Sequence, residues 1–299
     1  VSSEKVNVAV NAALHLGRPL LLTGLPGSGK STLVELISAE LQLGKVLRWH
    51  VTSKSTLEDG LYGYDALGRL NASQVEGNGA ANAVANFVTL GPLGTALADQ
   101  ARPRAVLIDE IDKSDLDLPG DLLDVLERGE FEIPPLVRDT GISDVGAASD
   151  QVATEEGEAV GVESGEVLQS SRIHRVRGSD GGRYTVADGK VAAHHLPVIV
   201  FTSNGERSFP PPFLRRCVRL DVDPFNVDEL TEIVTKHFTA QIADTEQEEI
   251  RAFAARITAG DVLAVDQLLN LLHLFTGDER PDEQAREILR TILLTGLAS

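Results

Sequence analysis

Apolar residues along this chain recur in two rhythms. The first is the short unbroken run, at Arg18–Thr23, Lys45–Val51, Arg104–Glu110, Pro197–Asn204 and Val218–Val222. Runs of this length predict buried strands of a parallel sheet. The second rhythm is helical. It predicts helices over Ser3–Leu16, with Ser2 or Ser3 as cap, over Thr32–Leu43, and over Leu118–Arg128, where Gly129 supplies the stop. Pro92–Ala101 reads as a helix entered with proline in its first turn. From Asn226 onward only the helical period remains, in four segments: Val227–Thr239, Glu246–Ile257, Val262–Phe275 and Pro281–Leu294. Strands alternating with helices, then helices alone, predict an α/β domain over residues 1–224 and a small all-α domain over 225–299.

Two stretches interrupt the alternation. Thr56–Ala101 is too long to be a simple link, so it contains an insertion, and its Gly-, Asn- and Ala-rich middle reads as a loop. Pro134–His195 is poor in large apolar residues. Within it, Asp139–Glu166 carries acids and neither lysine nor arginine, after which Arg172, Arg175, Arg177, Arg183 and Lys190 make the tail basic. Such charge blocks read either as a flexible surface loop or as a mobile arm for a partner or a pore. Arg183–Val186 and Val191 flank an Asp188-Gly189 turn, so the arm would end in a β-hairpin.

Composition narrows the function classes. The formal charge is −18 over 299 residues, which argues against non-specific nucleic-acid binding. Cys217 is the single cysteine, so no internal disulfide forms and a reducing compartment is favoured. There is no signal peptide and no apolar run of bilayer length, so the expectation is a cytoplasmic chain without a membrane partner. His50 and the pair His194-His195 lack further His or Cys at metal spacing, and a structural metal site is not expected.

The candidate chemistry begins at Gly24-Leu25-Pro26-Gly27-Ser28-Gly29-Lys30-Ser31, which fits the phosphate-binding pattern G-x-x-x-x-G-K-[ST] without a mismatch. A predicted strand precedes it and a predicted helix follows. Its glycines let successive N–H groups turn toward phosphate oxygens, and the helix N-terminus adds partial positive charge. Lys30 is expected at the β- and γ-phosphates and the Ser31 hydroxyl on Mg²⁺. The candidate binding residues are Gly24, Pro26, Gly27, Ser28, Gly29, Lys30, Ser31 and Thr32. The run ending in Asp109-Glu110 sets two acids at the carboxyl end of a buried strand. Asp109 is the candidate Mg²⁺ ligand, directly or through water, and Glu110 the candidate base that polarises the attacking water. Asn204, ending another such run, can hydrogen-bond that water or the γ-phosphate. Arg215 and Arg216 end a short helix predicted over Pro210–Cys217. They are a surface cation pair on the plainer reading, and stabilisers of the transferring phosphoryl group, across a subunit boundary, on the functional one.

In order, these are Walker A, Walker B, sensor 1 and arginine finger, and the chain resembles an AAA+ ATPase. Gly91-Pro92-Leu93, Ile108–Lys113, and Thr202–Glu206 leading to Phe213-Leu214-Arg215-Arg216 resemble the MoxR-like branch. The resemblance covers nearly the whole chain except Pro134–His195, where this group carries a hairpin before sensor 1. It implies a P-loop core, a five-stranded parallel sheet between helices, followed by a small helical lid. ATP and Mg²⁺ would bind between the two and against a neighbouring subunit, with Arg216 fitting the finger position better than Arg215. It further implies a homo-oligomeric ring, usually a hexamer, that remodels or activates a client protein, and a partner bearing a von Willebrand factor A domain. The sequence departs from the family at the second sensor. If the third lid helix begins near Val265, the matching positions hold Asp266 and Gln267, leaving Arg256 as a substitute or no such sensor. Two other functions compete, the first of them using the same residues. One is a slow-hydrolysing nucleotide switch in a signalling or defence complex. The other is a small-molecule P-loop kinase, against which Asn204, the arginine pair and the helical C-terminal domain argue.

Overall fold

The computed structural model describes residues 4–76, 83–139, 172–277 and 281–294. Its first elements are α1 (Glu4–Leu16), β1 (Leu20–Thr23), α2 (Lys30–Glu40), β2 (Leu47–His50), α3 (Leu57–Leu61), β3 (Tyr62–Tyr64), α4 (Ala66–Glu76) and β4 (Val88–Leu90). Then come α5 (Pro92–Ala98), β5 (Ala105–Asp109), α6 (Leu118–Arg128), β6 (Glu130–Glu132), β7 (Ile173–Arg177), β8 (Arg183–Ala187), β9 (Lys190–Ala192) and β10 (Val198–Ser203). The last are α7 (Pro211–Arg216), β11 (Val218–Asp221), α8 (Val227–His237), α9 (Ala240–Thr245), α10 (Gln247–Thr258), α11 (Val265–Phe275) and α12 (Glu283–Leu293). Five strands form a parallel sheet in the order β11-β1-β10-β5-β2, and a second sheet runs β3-β4-β7-β8-β9-β6. The chain divides into two compact units. One holds the residues up to Ile37, Asp109–Lys113, and everything from Val200 onward; the other holds Ser38–Ile108 and Ser114–Ile199.

In the first unit, β1 pairs in parallel with both neighbours, Leu20 lying opposite Val200 and Val218. Leu20, Leu21 and Leu22 are all buried, which is why β1 reads as a continuous apolar run instead of an alternating one. Phe213 on α7 packs against Phe201 and Phe209, with ring centroids 5.2 and 5.1 Å apart. Helices α8 to α12 enclose their own core, which includes Leu230, Val234, Phe253, Leu268 and Leu271. Each such side chain contributes roughly 1.5–3 kcal/mol by leaving water. Asn226 starts α8 with a capping box to Glu229.

In the second unit, α5 is buried from Leu93 to Ala98 and starts at Gly91 with Pro92 in its first turn. Strands β8 and β9 are joined by Asp188 and Gly189 at φ 52° and 74°, the paired positive angles that a two-residue hairpin turn requires. α6 stops at Gly129, at φ 67°. The indole of Trp49 lies so close to Gly60 that a Cβ there would come within 2.4 Å of it.

Several sequence expectations change. The loop reading of the middle of Thr56–Ala101 gives way to α4 over Ala66–Glu76, with residues 77–82 outside the described set. The flexible-loop reading of Pro134–His195 fails for residues 172–192, which form β7 to β9 around a buried row of His174, Val176, Val186 and Val191. Residues 140–171, nearly all of the acidic stretch, lie outside the described residues, as do Ser2 and Ser3. The P-loop helix starts two residues earlier than expected, because Leu33 N–H already donates to Gly29. It also ends earlier, where Gln42 takes a φ of 54°. The expected helix over Val227–Thr239 ends at His237, and Thr239 caps a further helix, α9, by accepting from Ile242 N–H. The described helical region therefore contains five helices and not four.

Candidate functional site

The loop between β1 and α2 is shaped by its glycines. Gly24, Gly27 and Gly29 take φ of 153°, 76° and 77°, angles that a side chain would resist. They also allow close approach: a Cβ on Gly27 would lie 2.7 Å from Ala264 Cα, and one on Gly29 the same distance from the Phe225 ring. Residues of the helical region thus stand directly on the loop, and Leu25 packs against their core. The Ser28 hydroxyl is buried without a hydrogen-bond partner. Lys30 is buried too, its Nζ donating to the carbonyls of Gly24 and Leu25 at 2.8 and 2.9 Å. Burial pushes the Lys30 ammonium below the ordinary lysine range, while Asp109, Asp112 and Glu110 pull it back up.

Asp109 ends β5, and Glu110 follows in left-handed backbone at φ 58°, an angle uncommon for a residue with a side chain. The Thr202 hydroxyl donates to Asp109 Oδ1 and accepts from Glu110 N–H at 3.0 Å, joining β10 to both acids. Asn204 follows β10, and its Nδ2 donates to Glu110 Oε1 at 3.5 Å. The other carboxylate oxygen, Oε2, meets Lys113 Nζ at 2.9 Å, and that hydrogen bond holds the Lys113 ammonium above its usual range. Asp112 is buried; its Oδ2 accepts from the backbone N–H of Asn204 and Glu206 at 3.0 and 3.1 Å, and its Oδ1 has no partner.

The structure therefore brings Asp109, Glu110 and Asn204 into one hydrogen-bonded cluster whose field reaches Lys30. Pro26, Ser31 and Thr32 lie on the same loop and helix start. Arg215 and Arg216 are exposed at the end of α7, outside those hydrogen bonds; the Arg215 carbonyl accepts from Arg18 at 3.3 Å. Sequence reasoning missed Thr202 and Asp112. The signal for Thr202 was the polar triplet that ends an otherwise apolar run; for Asp112 nothing in the sequence separates it from a surface acid. Arg256, the candidate substitute for the second sensor, pairs with Asp261 at 2.7 Å, and Gln267 is tied to Ala264 and Leu293.

Among the described residues no group of three or more His, Cys, Asp or Glu could hold a metal ion by itself. Mg²⁺ keeps waters and substrate phosphates as ligands and needs only one or two protein groups, a demand that the Ser31 hydroxyl and the Asp109 carboxylate fit by their chemistry. The buried, unpartnered Ser28 hydroxyl and the glycine-lined cradle likewise fit a bound phosphate chain. Among the described residues no helix is long and apolar enough to cross a membrane.

Residues 19–152 match the family model described as AAA domain, dynein-related subfamily, a span that contains the loop and Asp109-Glu110 and stops before Asn204. No curated protein matches the chain. Among solved structures, a mutant of RuvB from Thermotoga maritima is 17% identical over 97% of this chain and 75% of its own, with a TM-score of 0.41. NtrX from Brucella abortus in complex with ATP is 13% identical over 98% and 54%, at TM-score 0.45. Hsp104 with ATPγS and FITC casein is 16% identical over 95% and 45%, at TM-score 0.43.

Proposed function

We propose that this chain binds and hydrolyses ATP as an AAA+ subunit of the MoxR-like branch, in a ring that remodels or activates a client protein. Residues 1–224 form the nucleotide domain in this reading and 225–299 the lid. The observation that carries it is the cluster of Asp109, Glu110, Thr202 and Asn204 beside a buried Lys30 on a glycine-built phosphate loop. Gly24 to Ser31 cradle the triphosphate with backbone N–H groups, and Lys30 leaves its two loop carbonyls for phosphate oxygens. Ser31 and Asp109 would hold Mg²⁺, which supplies positive charge to the phosphates. Thr202 fixes the orientation of Asp109 and the backbone of Glu110. Glu110 accepts a proton from the attacking water while Asn204 orients it. Arg216, exposed at the end of α7, reaches the phosphates of a neighbouring copy.

Glu110→Gln is expected to keep ATP bound and to lose hydrolysis by about 10²–10⁴-fold, the usual share of a general base. Turnover at the wild-type rate would remove Glu110 from that role. Arg216→Ala should spare binding and abolish hydrolysis, and mixing it with a Lys30→Ala chain should restore activity if the arginine acts across subunits. A protein that stays monomeric with saturating nucleotide yet turns over at full rate would end the ring reading.

One observation favours a second reading, a slow nucleotide-dependent switch in a signalling or defence complex. Both carboxylate oxygens of Glu110 are engaged, by Lys113 and Asn204. Turnover measured with and without protein clients separates the two, since a switch shows little stimulation.

A further inference from the structure

The solvent face of the second sheet carries a row of arginines. Burial alternates along β7 and β8, so His174, Val176 and Val186 turn inward while Arg175, Arg177 and Arg183 turn outward. The register sets Arg177 directly opposite Arg183 on one side and Thr89 on the other, and Arg175 opposite Thr185. Like charges facing each other across strands destabilise a sheet. Among the described residues none of the three arginines is paired with a carboxylate to offset this. With Ala85, Asn86 and Gly181 they line a recess of about 350 Å³.

These side chains project from a fixed frame. The β7–β8 turn is closed by Gly178 N–H donating to the Gly182 carbonyl at 2.8 Å. Within it, Ser179 N–H donates to Thr95 at 3.0 Å, and Asp180 accepts from buried Arg104 at 3.0 Å and from the Tyr184 hydroxyl at 2.7 Å. The backbone that carries the arginines is thus fixed, and the ordering cost on binding falls on their side chains alone.

We propose that this face binds an acidic segment of a partner protein in extended conformation, its carboxylates on alternate residues pairing with Arg175, Arg177 and Arg183. Same-face residues of an extended chain repeat about every 7 Å. That is the spacing of Arg175 and Arg177 along β7, so carboxylates at i and i+2 of an extended segment match it. Each guanidinium presents a fork that suits a carboxylate in two-point contact. A nucleic-acid strand also offers spaced anions, but its dense charge is repelled by a chain of net charge −18, whereas a short acidic segment meets mainly the local field. The proposal does not depend on nucleotide binding.

The test uses the full chain and a fluorescent peptide of repeated Glu-Ser, followed by anisotropy at low salt. Oligothymidylate and inorganic phosphate serve as rival anions. The peptide is expected to bind, and Arg175→Glu with Arg177→Glu to weaken it by at least ~10-fold, as loss of two charge-assisted contacts implies. Arg251→Glu, at an exposed cation of α10, should leave it unchanged. Trp49 fluorescence checks that the double variant folds; if it does not, Arg183→Gln takes its place. Absence of peptide binding, equal binding by the variants, tighter binding of oligothymidylate, or displacement by inorganic phosphate at matched charge would each overturn the proposal.

Discussion

The two units handle charge in opposite ways. In the first, Glu110 sits in left-handed backbone, Asp112 keeps one oxygen unpartnered, and the buried Ser28 hydroxyl has no hydrogen-bond partner. In the second, Arg104 donates to Asp99 at 3.1 Å, to Asp180 at 3.0 Å, to the Tyr184 hydroxyl at 3.1 Å and to the Lys45 carbonyl at 3.3 Å. Its side chain is 5% exposed. Burial alone pulls the Arg104 guanidinium down, and Asp180, Asp99 and Tyr184 together hold it above its ordinary value. The contrast follows from use. On the proposed reading, the groups around the phosphate loop keep unspent hydrogen-bonding capacity for a phosphate chain. The charge that fixes the hairpin turn to α5 and β2 instead meets two carboxylates within the protein, with only its Nε left without a hydrogen-bond partner.

The largest test of that contrast is Arg104→Met. It leaves Asp99 and Asp180 partly buried without their cation, and breaking such a network costs about 3–5 kcal/mol. Urea unfolding followed by Trp49, the single tryptophan and itself in the second unit, should show the midpoint fall accordingly. Arg104→Lys should recover only part, since one ammonium lacks the fork that reaches Asp99, Asp180 and the Lys45 carbonyl together. A loss below ~1 kcal/mol in the methionine variant would mean that the arginine cluster is a solvated ornament, on the scale of a surface pair.

Thr202→Val addresses the other side. It removes the bonds to Asp109 and from Glu110 N–H while keeping the β-branched shape that suits β10. The expected outcome is a loss of hydrolysis of about 10–100-fold, the scale on which disturbed metal-ligand support acts, with nucleotide affinity nearly unchanged. Stability should fall by only about 1–2 kcal/mol, the cost of unmet buried hydrogen bonds. Steady-state phosphate release and urea midpoints check the two numbers. Unchanged turnover with lowered stability would make Thr202 architectural, and the contrast between the units would weaken.

How legible this was depended on the range of the interactions. The strands β1, β5 and β10 and the phosphate loop announce themselves locally, through apolar runs and glycine spacing, and their ends are set by the same residues. The Asp188-Gly189 hairpin was readable for the same reason. The second sheet was not. Its strands β3, β4 and β6 are three residues each, too short for periodicity; β3 pairs with β4, and β4 and β6 pair with β7 and β9 from beyond a long acidic stretch. Asp112 and Thr202 were likewise invisible as partners, because each acts on groups about ninety positions away. The extra helix α9 of the C-terminal helical region was missed because Thr239 looked like the tail of one helix when it is the cap of the next.

The smallest expected effect belongs to Cys217, a buried thiol of the first unit that has no part in the phosphate cluster. Burial pushes its thiol up from 9.0 to about 12, with the positive charge of Arg18 pulling slightly the other way. An acid whose folded pKa is raised contributes fully while the pH is below its unfolded value, since both states then carry the proton. Between the two values the unfolded chain has lost the proton and the folded one has not. Stability therefore falls as pH rises, by about 1.4 kcal/mol per pH unit from this group. Tyr62 and Tyr184, both pushed up, add their own losses only above their ordinary 10.0, and Lys30, held below its ordinary range, titrates alike with and without the thiol, so the difference between wild type and Cys217→Ala from pH 9 to 10 reports Cys217. In that window the urea midpoint of the wild type should fall toward that of Cys217→Ala, which lacks the titrating group and shows the flatter dependence. A gap between the two proteins that stays constant from pH 7 to pH 10 would mean the thiol titrates alike in both states, and so that Cys217 is reached by water in a region where only the phosphate cluster was expected to be wet.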